Sequence, residues 1–99
     1  MRKRVSQVDV KPHVSFRLRE TNLHWRSIGE ELVALDLDSE TYLQGNSAAG
    51  IVWEMLREGA TQEDLANRLV AEYSIEYEHA LGDVDIFLRE LRAAGLLER

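Results

Sequence analysis

The sequence predicts an α+β domain in which a three-stranded antiparallel sheet is followed by three helices. Residues 14–18 and 31–37 carry apolar side chains at every second position, as half-buried strands do. Thr41–Gly45 is a third short run that contains β-branched and aromatic residues. From Ala48 onward the apolar residues recur every three or four positions, which is typical of amphipathic helices. The change of period near Asn46 therefore separates a sheet half of the chain from a helical half.

The first strand is expected at residues 14–18, with one face buried and the other exposed to solvent. Residues 21–29 are expected to form a loop of mixed character. Within this loop, Leu23 and Trp25 either prolong the first strand or fold back onto the sheet, and the sequence leaves both arrangements open.

The second and third strands are expected to form a tight hairpin. Residues 31–37 form the second strand, and the turn Asp-Ser-Glu at 38–40 returns the chain into Thr41–Gly45. Consecutive strands joined in this way are antiparallel, and a first strand on the far side of the second leaves the third at the sheet edge. An edge strand exposes main-chain N–H and C=O groups that can pair with another polypeptide.

The first helix follows this strand directly. It is expected at Ser47–Glu58, with Asn46 or Ser47 as its N-cap and Gly59 as its C-terminal stop. A strand that runs straight into a helix fixes how the sheet is oriented against the helices that come after it.

The second helix is expected to begin after Thr61, which forms a near capping box with Asp64. Its apolar residues share one helical face, and the predicted buried stripe is Leu65, Ala66, Leu69, Val70 and Tyr73.

The third and longest helix is expected at residues 76–94, with a stop at Gly95 and the following two leucines folded back onto the core. Its main apolar seam is Tyr77, Leu81, Val84, Leu88 and Leu91. A second apolar flank, wider than one core contact needs, lies beside this seam and consists of Ala80, Ile86 and Phe87, with Asp83 among them.

Composition narrows the class of protein. The 99 residues are 44% hydrophobic and include no cysteine, which suits one small domain with a single core and excludes a redox pair or a thiol nucleophile. The three histidines share no ligand spacing, so we expect neither a metal nor any other cofactor. The sequence has no membrane-spanning run and no secretion signal, and we therefore expect a cytoplasmic protein without membrane contact.

Charge is distributed unevenly along the chain. Four of the 12 basic residues lie within residues 1–12, which have no clean period and are expected to be a flexible tail ahead of one domain at 13–99. From His13 onward the net charge is −9, because 8 basic residues face 17 acidic ones. A domain with this net negative charge repels the phosphate backbone of nucleic acids, which favours a peptide or protein as its partner.

Three strands followed by three helices are typical of a winged helix-turn-helix-like domain. Many domains of this shape read DNA, so a DNA-binding transcriptional regulator is one candidate function, the alternative to binding a peptide or protein. A recognition helix normally presents basic or amide side chains to the major groove. The third helix instead carries five acidic residues and only two arginines, which argues against DNA reading by this helix. No nucleophile and base converge by motif, and we therefore expect a protein that is not an enzyme.

Three segments in order, "LVALDLDSETYLQGNSAAGIVWEML", "ATQEDLANRLVAEYSI" and "DVDIFLRELRAAGLL", resemble the PqqD family of peptide chaperones. Within it the sequence is most similar to the stand-alone leader-recognition proteins of lasso-peptide biosynthesis, which are recognition elements for ribosomally synthesised, modified peptides. The resemblance covers residues 14–97. The sequence departs from the family pattern at Gly45, where relatives usually carry leucine, and in the long segment 21–29.

The resemblance implies non-catalytic binding of the leader segment of a precursor peptide. The leader would add as an antiparallel strand to the third strand, in a groove against the third helix. Acidic residues would pair with basic positions of the leader. Apolar pockets would bind anchor side chains such as a tyrosine and a proline. A separate leader peptidase and an ATP-dependent cyclase would then receive the bound precursor. The implied peptide-binding residues are Asp36, Glu40, Thr41, Tyr42, Leu43, Gln44, Gly45, Glu76, Ala80, Asp83, Val84 and Phe87.

Overall fold

A computed structural model describes residues 14–98, and the predicted tail at 1–12 lies outside the described residues. Within these residues, five strands and three helices follow one another. In order they are β1 Ser15–Phe16, β2 Leu23–Ile28, β3 Glu31–Asp36, β4 Thr41–Gly45, α1 Ser47–Glu58, β5 Ala60–Thr61, α2 Gln62–Tyr73 and α3 Tyr77–Ala93. The α+β class, with a three-stranded antiparallel sheet and three helices, is confirmed.

The first strand of this sheet is not the predicted one. The sheet has the order β2-β3-β4, so residues 23–28, expected as a loop, form the strand beside β3. Leu23 and Trp25 point to the same side as the buried residues of β3, because Trp25 pairs with Ala34. A two-residue turn at 29–30, with Gly29 at φ 63°, joins the strands, and such a turn favours a hairpin between adjacent segments.

Residues 14–18 were predicted as that first strand. They pair instead with the segment before α2 and with the segment after α3. Ser15 and Phe16 pair with Thr61 and Ala60 in a separate two-stranded sheet. Leu18 is buried and forms an isolated antiparallel bridge with Leu97. The alternation in this segment therefore reflects burial of one face, as expected, but against the helical half of the protein.

β4 is an edge strand, as predicted. It pairs with β3 on one side, with Tyr42 opposite Leu35 and Leu43 opposite Ala34. Within residues 14–98 no strand pairs with its other side. Its outward N–H and C=O groups are thus a template for a further strand.

The helix boundaries follow the capping residues in the sequence. Asn46 caps α1 and accepts a hydrogen bond from the backbone N–H of Ala49 at 3.0 Å. Thr61 and Asp64 form a complete capping box at the start of α2. Such caps contribute about 0.5–2 kcal/mol each, so they fix where the chain leaves the sheet and enters each helix.

The core lies between the inner face of the sheet and the three helices. Trp53 of α1 is fully buried and meets Trp25 of β2 edge-on, with ring centroids 6.4 Å apart. The predicted stripe of α2 is buried at Leu65, Ala66 and Leu69, but the Tyr73 side chain is exposed at the end of the helix and bonds to Ser47. The other buried apolar residues are Leu18, Leu32, Ala34, Val52, Leu56, Ala60, Ala80, Val84, Leu88, Leu91 and Leu96.

None of the helices in residues 14–98 has both the length and the apolar character needed to cross a lipid bilayer.

Candidate peptide-binding site

The side chains of the edge strand β4 alternate between the two faces of the sheet. Leu43 is half-buried and points toward the core, since it pairs with buried Ala34. Tyr42 and Gln44 are exposed on the outer face, and Tyr42 keeps 69% of its surface exposed. The inner face of β4 therefore continues the apolar inner face of the sheet out to its open edge.

Contacts at the two ends of β4 relate this strand to the region of helix α3. At one end, the Ser47 hydroxyl directly after β4 lies 2.6 Å from the Tyr73 hydroxyl, and α3 begins four residues after Tyr73. At the other end, Ala94 and Leu96 lie beside the first residues of β4. The end of β4 thus lies toward the start of α3 and the start of β4 toward its end, and we call the space between the open edge of β4 and α3 the β4–α3 groove.

A small cavity of about 100 Å³ opens in this groove at the start of β4. Its lining is mostly apolar, and a cavity of this order accommodates one apolar side chain. The lining residues are Leu23, Ala34, Asp36, Thr41, Tyr42, Leu43, Ala94 and Leu96.

Asp36, predicted as a partner for basic peptide positions, is instead part of a partly buried ion pair with Arg19. Asp36 is 5% exposed, and its Oδ1 accepts a hydrogen bond of 2.6 Å from Nη2 of Arg19. That hydrogen bond from Arg19 lowers the pKa of Asp36 to about 2, with further help from the Ser39 hydroxyl and the Asp38 N–H. The carboxylate is therefore committed to the fold, and we reassign it from a peptide contact to a structural role.

The predicted helix residues divide into core and surface. Ala80 and Val84 are 0% and 1% exposed, so their side chains lie in the core beneath the groove and present no surface to a peptide. The reason is close packing, because a buried seam forms at the intervals 80, 84, 88 and 91. Phe87 is half-buried and packs against that seam. It lies seven residues before Ala94 and hence on the same helical face as the cavity-lining end of α3.

The remaining acidic candidates are exposed. Asp83 lies on α3 one turn before Phe87, and its Oδ2 is 3.4 Å from Nε2 of His79. Glu40 sits in the β3–β4 turn with a positive φ of 59°. Glu76 is the N-cap residue of α3 and makes no side-chain capping bond. These three carboxylates are exposed at the β3–β4 turn, at the start of α3 and within α3.

Several residues of the groove were missed from the sequence. Leu23 was placed in a loop, and Ala94 and Leu96 were treated only as the end of the last helix and a fold-back onto the core. The seven-residue interval from Phe87 to Ala94 is a signal that extends the predicted flank to the end of α3. Arg19 had no signal, because it lies 17 residues from Asp36 with no motif joining them.

The exposed surface of α3 does not suit a nucleic acid. Of its two arginines, Arg89 pairs with Asp85 through a 2.9 Å contact, and Arg92 stacks over the Phe16 ring at 5.6 Å. Acidic side chains at 76, 78, 83 and 90 are exposed around them. Within residues 14–98, no cluster of three or more His, Asp or Glu side chains is arranged to hold a metal ion.

Comparison with known families gives a match over two thirds of the chain. Residues 31–97 match the family model for coenzyme PQQ synthesis protein D (PqqD). The matched segment includes β3, β4 and all three helices. No curated protein sequence matches the chain.

Solved structures similar to this chain include two proteins bound to leader peptides. TbiB1 in complex with the TbiA(beta) leader peptide is 29% identical, with a TM-score of 0.74 over 83% of this chain and 94% of that one. A lasso peptide synthetase B1 complexed with the leader peptide is 28% identical, with a TM-score of 0.73 over 85% of this chain and 98% of that one. Both structures share the fold described above over almost their whole length.

Proposed function

Because this chain belongs to the PqqD family, we propose that it binds the leader segment of a ribosomally made precursor peptide of the lasso type. The proposal is supported by the two similar proteins that are complexed with leader peptides. The function it assigns is recognition of a peptide, without chemistry on that peptide.

The observation that carries the proposal is an edge strand beside an apolar cavity. β4 offers five residues of main chain whose outer side pairs with no strand in residues 14–98. A peptide that adds to this edge gains main-chain hydrogen bonds whatever its sequence, and its alternate side chains then supply the specificity. The cavity next to Leu43 lies on the inner face, where every second side chain of an added strand would point.

The lining of the groove indicates which leader side chains would bind. An apolar or aromatic anchor fits the cavity between Leu43 and Leu96, and a second one fits against Phe87 further along α3. The tyrosine and proline implied for lasso leaders are rigid groups of this kind, and rigid anchors lose little conformational entropy on binding.

Charge favours a leader that carries basic residues near these anchors. Glu40, Glu76 and Asp83 are exposed along the groove, in a body that is acidic from His13 onward. Because such pairs stay in contact with water, each contributes only about 0.2–1 kcal/mol. We therefore expect them to help orient the leader, while the strand pairing and the apolar anchors supply most of the affinity.

Leader cleavage and ring closure are assigned to other proteins. The strand edge, apolar side chains and exposed carboxylates of the groove are suited to binding and orienting a peptide. We propose that the bound precursor is presented to a separate leader peptidase and to an ATP-dependent cyclase. Holding the leader raises the effective concentration of the attached segment near those enzymes.

A direct binding measurement tests the proposal. The probe is a fluorescent synthetic leader from the precursor encoded next to this protein, with a scrambled peptide of the same composition as control. We expect saturable polarization with a dissociation constant in the nanomolar to micromolar range, which corresponds to about −12 to −8 kcal/mol. Equal binding of the two peptides, or no saturable change with either, would contradict leader recognition.

A further inference from the structure

Arg19 connects the two walls of the β4–α3 groove. We propose that Arg19 is a positioning residue for the bound leader, because it holds the start of β4 at a fixed distance from the end of α3. This inference rests on the proposed function and adds to it a determinant that does not itself touch the peptide.

On the helix side, Arg19 is bonded to the chain just after α3. Its Nη1 donates to the backbone oxygen of Gly95 at 2.8 Å, and its own backbone N–H donates to the oxygen of Leu96 at 2.8 Å. Leu96 lines the cavity. The position of Arg19 is therefore fixed relative to the helix wall by both its backbone and its side chain.

On the strand side, a chain of hydrogen bonds leads from Arg19 to β4. Nη2 of Arg19 donates to Oδ1 of Asp36 at 2.6 Å, and the Ser39 hydroxyl donates to Oδ2 of Asp36 at 2.9 Å. The Ser39 and Thr41 hydroxyls lie 2.7 Å apart. With the Ser39 proton given to Asp36, Thr41 is left as the donor to Ser39, and the polar chain runs without a gap from Gly95 to Thr41.

Arginine has the geometry that this role requires. Its planar guanidinium directs several donors at fixed angles, whereas a lysine ammonium offers a single compact charge on a flexible stem. Nε and Nη2 also donate to the backbone oxygens of Thr21 and Asn22, at 3.0 and 3.2 Å. The side chain is 21% exposed and that of Asp36 is 7% exposed, so solvent screens this pair less than a surface pair.

The network lies at one particular end of the groove. Asp36 and Thr41 of the polar chain line the cavity, and so does Leu96, which follows Gly95 at the other end of the chain. A strand added antiparallel to β4 has its C-terminal part beside Thr41, where β4 begins. Arg19 therefore positions the end of the groove from which the precursor would continue toward its core segment.

Two variants and two peptides test this assignment. Arg19→Lys keeps the charge and loses the forked geometry, and Ser39→Ala removes the hydroxyl that links Asp36 to Thr41. The matched control is Arg26→Lys, which lies exposed on the outer face of β2. Each protein is titrated with the full leader and with a leader truncated by three residues at the C-terminal end of its bound segment, at a temperature where melting curves show it folded.

We expect Arg19→Lys to weaken binding of the full leader about fivefold, the value of one net hydrogen bond, and binding of the truncated leader less than about twofold. Ser39→Ala should show the same difference between peptides, and Arg26→Lys should bind both peptides like the wild type. If Arg19→Lys does not fold, Ser39→Ala decides the question alone, because it leaves the Arg19–Asp36 pair in place.

Failure of this inference and failure of the proposed function give different results. If the wild type binds neither peptide, leader recognition itself is wrong. If the wild type binds both peptides and the folded variants lose no affinity, or lose equal affinity for both, then Arg19 has only a structural role and the positioning assignment is overturned.

Discussion

Arg19 and Asp36 form a short ion pair in which Nη2 of the arginine lies 2.6 Å from Oδ1 of the carboxylate, and the aspartate is 5% exposed. The pair joins residues 17 positions apart and lies next to the cavity of the β4–α3 groove. It therefore joins two separate segments of the fold at the lining of this cavity.

The first prediction is a loss of stability in acid that depends on Asp36. Arg19 holds the pKa of this carboxyl at about 2 in the folded protein, below its usual 3.8. Because the folded pKa is the lower one, ionised Asp36 stabilises the fold fully above about pH 5 and loses this contribution as the pH falls toward 2. Melting temperatures of the wild type and Asp36→Asn should therefore differ most near neutral pH and converge in acid.

The control for this experiment is Asp85→Asn, which removes a partly exposed carboxylate that pairs with Arg89 on α3. Its melting curve should stay closer to that of the wild type near neutral pH. A gap between wild type and Asp36→Asn that remains constant from about pH 7 to pH 2 would show that ionisation of Asp36 does not stabilise the fold.

The second prediction compares two glycines. A Cβ on Gly45 would lie 2.6 Å from the Cβ of Ala49, so Gly45→Ala forces β4 and α1 apart and should destabilise the protein by about 1–3 kcal/mol. A Cβ on Gly82 meets nothing within 4 Å, and Gly82→Ala within α3 should stabilise it by about 1 kcal/mol. Urea unfolding measures both, and changes of the same sign in the two variants would contradict this packing.

The third prediction separates groove from core on α3. Phe87 is half-buried on the face that leads to Ala94, so Phe87→Ala should weaken leader binding tenfold or more, about 1.4 kcal/mol. Its loss of stability should stay below about 3 kcal/mol, the low end for a buried phenylalanine. Ile86→Ala is the matched control, since Ile86 is 58% exposed on the neighbouring face and should change affinity less than twofold. A large loss of stability with unchanged affinity would place Phe87 in the core instead.

The fourth prediction concerns the alternative function. The net charge of −9 from His13 onward and the acidic surface of α3 should prevent binding to duplex DNA. A mobility-shift assay with random duplexes at about 50 mM salt should show no complex at protein concentrations that saturate the leader. A complex that weakens steeply as salt is added would support a transcriptional regulator.

The sequence predicted a three-stranded sheet and every helix, because capping residues and hydrophobic periods are local signals, but it did not predict the short pairing of β1 with β5. The choice of the first strand was wrong, because residues 14–18 and 23–28 both alternate. Only the hairpin turn at Gly29 and the pairing of Trp25 with Ala34 decide which segment joins the sheet. That decision depends on contacts between segments, which a periodic pattern does not contain.

The candidate site was predictable only in part for a related reason. An edge strand can be located from strand order, and β4 was located correctly. Whether Ala80 and Val84 face a groove or the core depends on how closely α3 packs against its neighbours. The role of Asp36 depends on Arg19, which reaches it from a separate segment of the chain.

Amide hydrogen exchange of the protein, with and without saturating leader, tests the central claim most directly. On an edge strand, every second N–H group points to the open side, where it has no strand to bond to. An added leader strand would accept hydrogen bonds from these groups, so we expect amide exchange to slow at every second residue of Thr41–Gly45. The amides of β2 at the opposite edge should exchange as before. Saturable leader binding that leaves exchange in β4 unchanged, or that instead protects β2, would contradict the account.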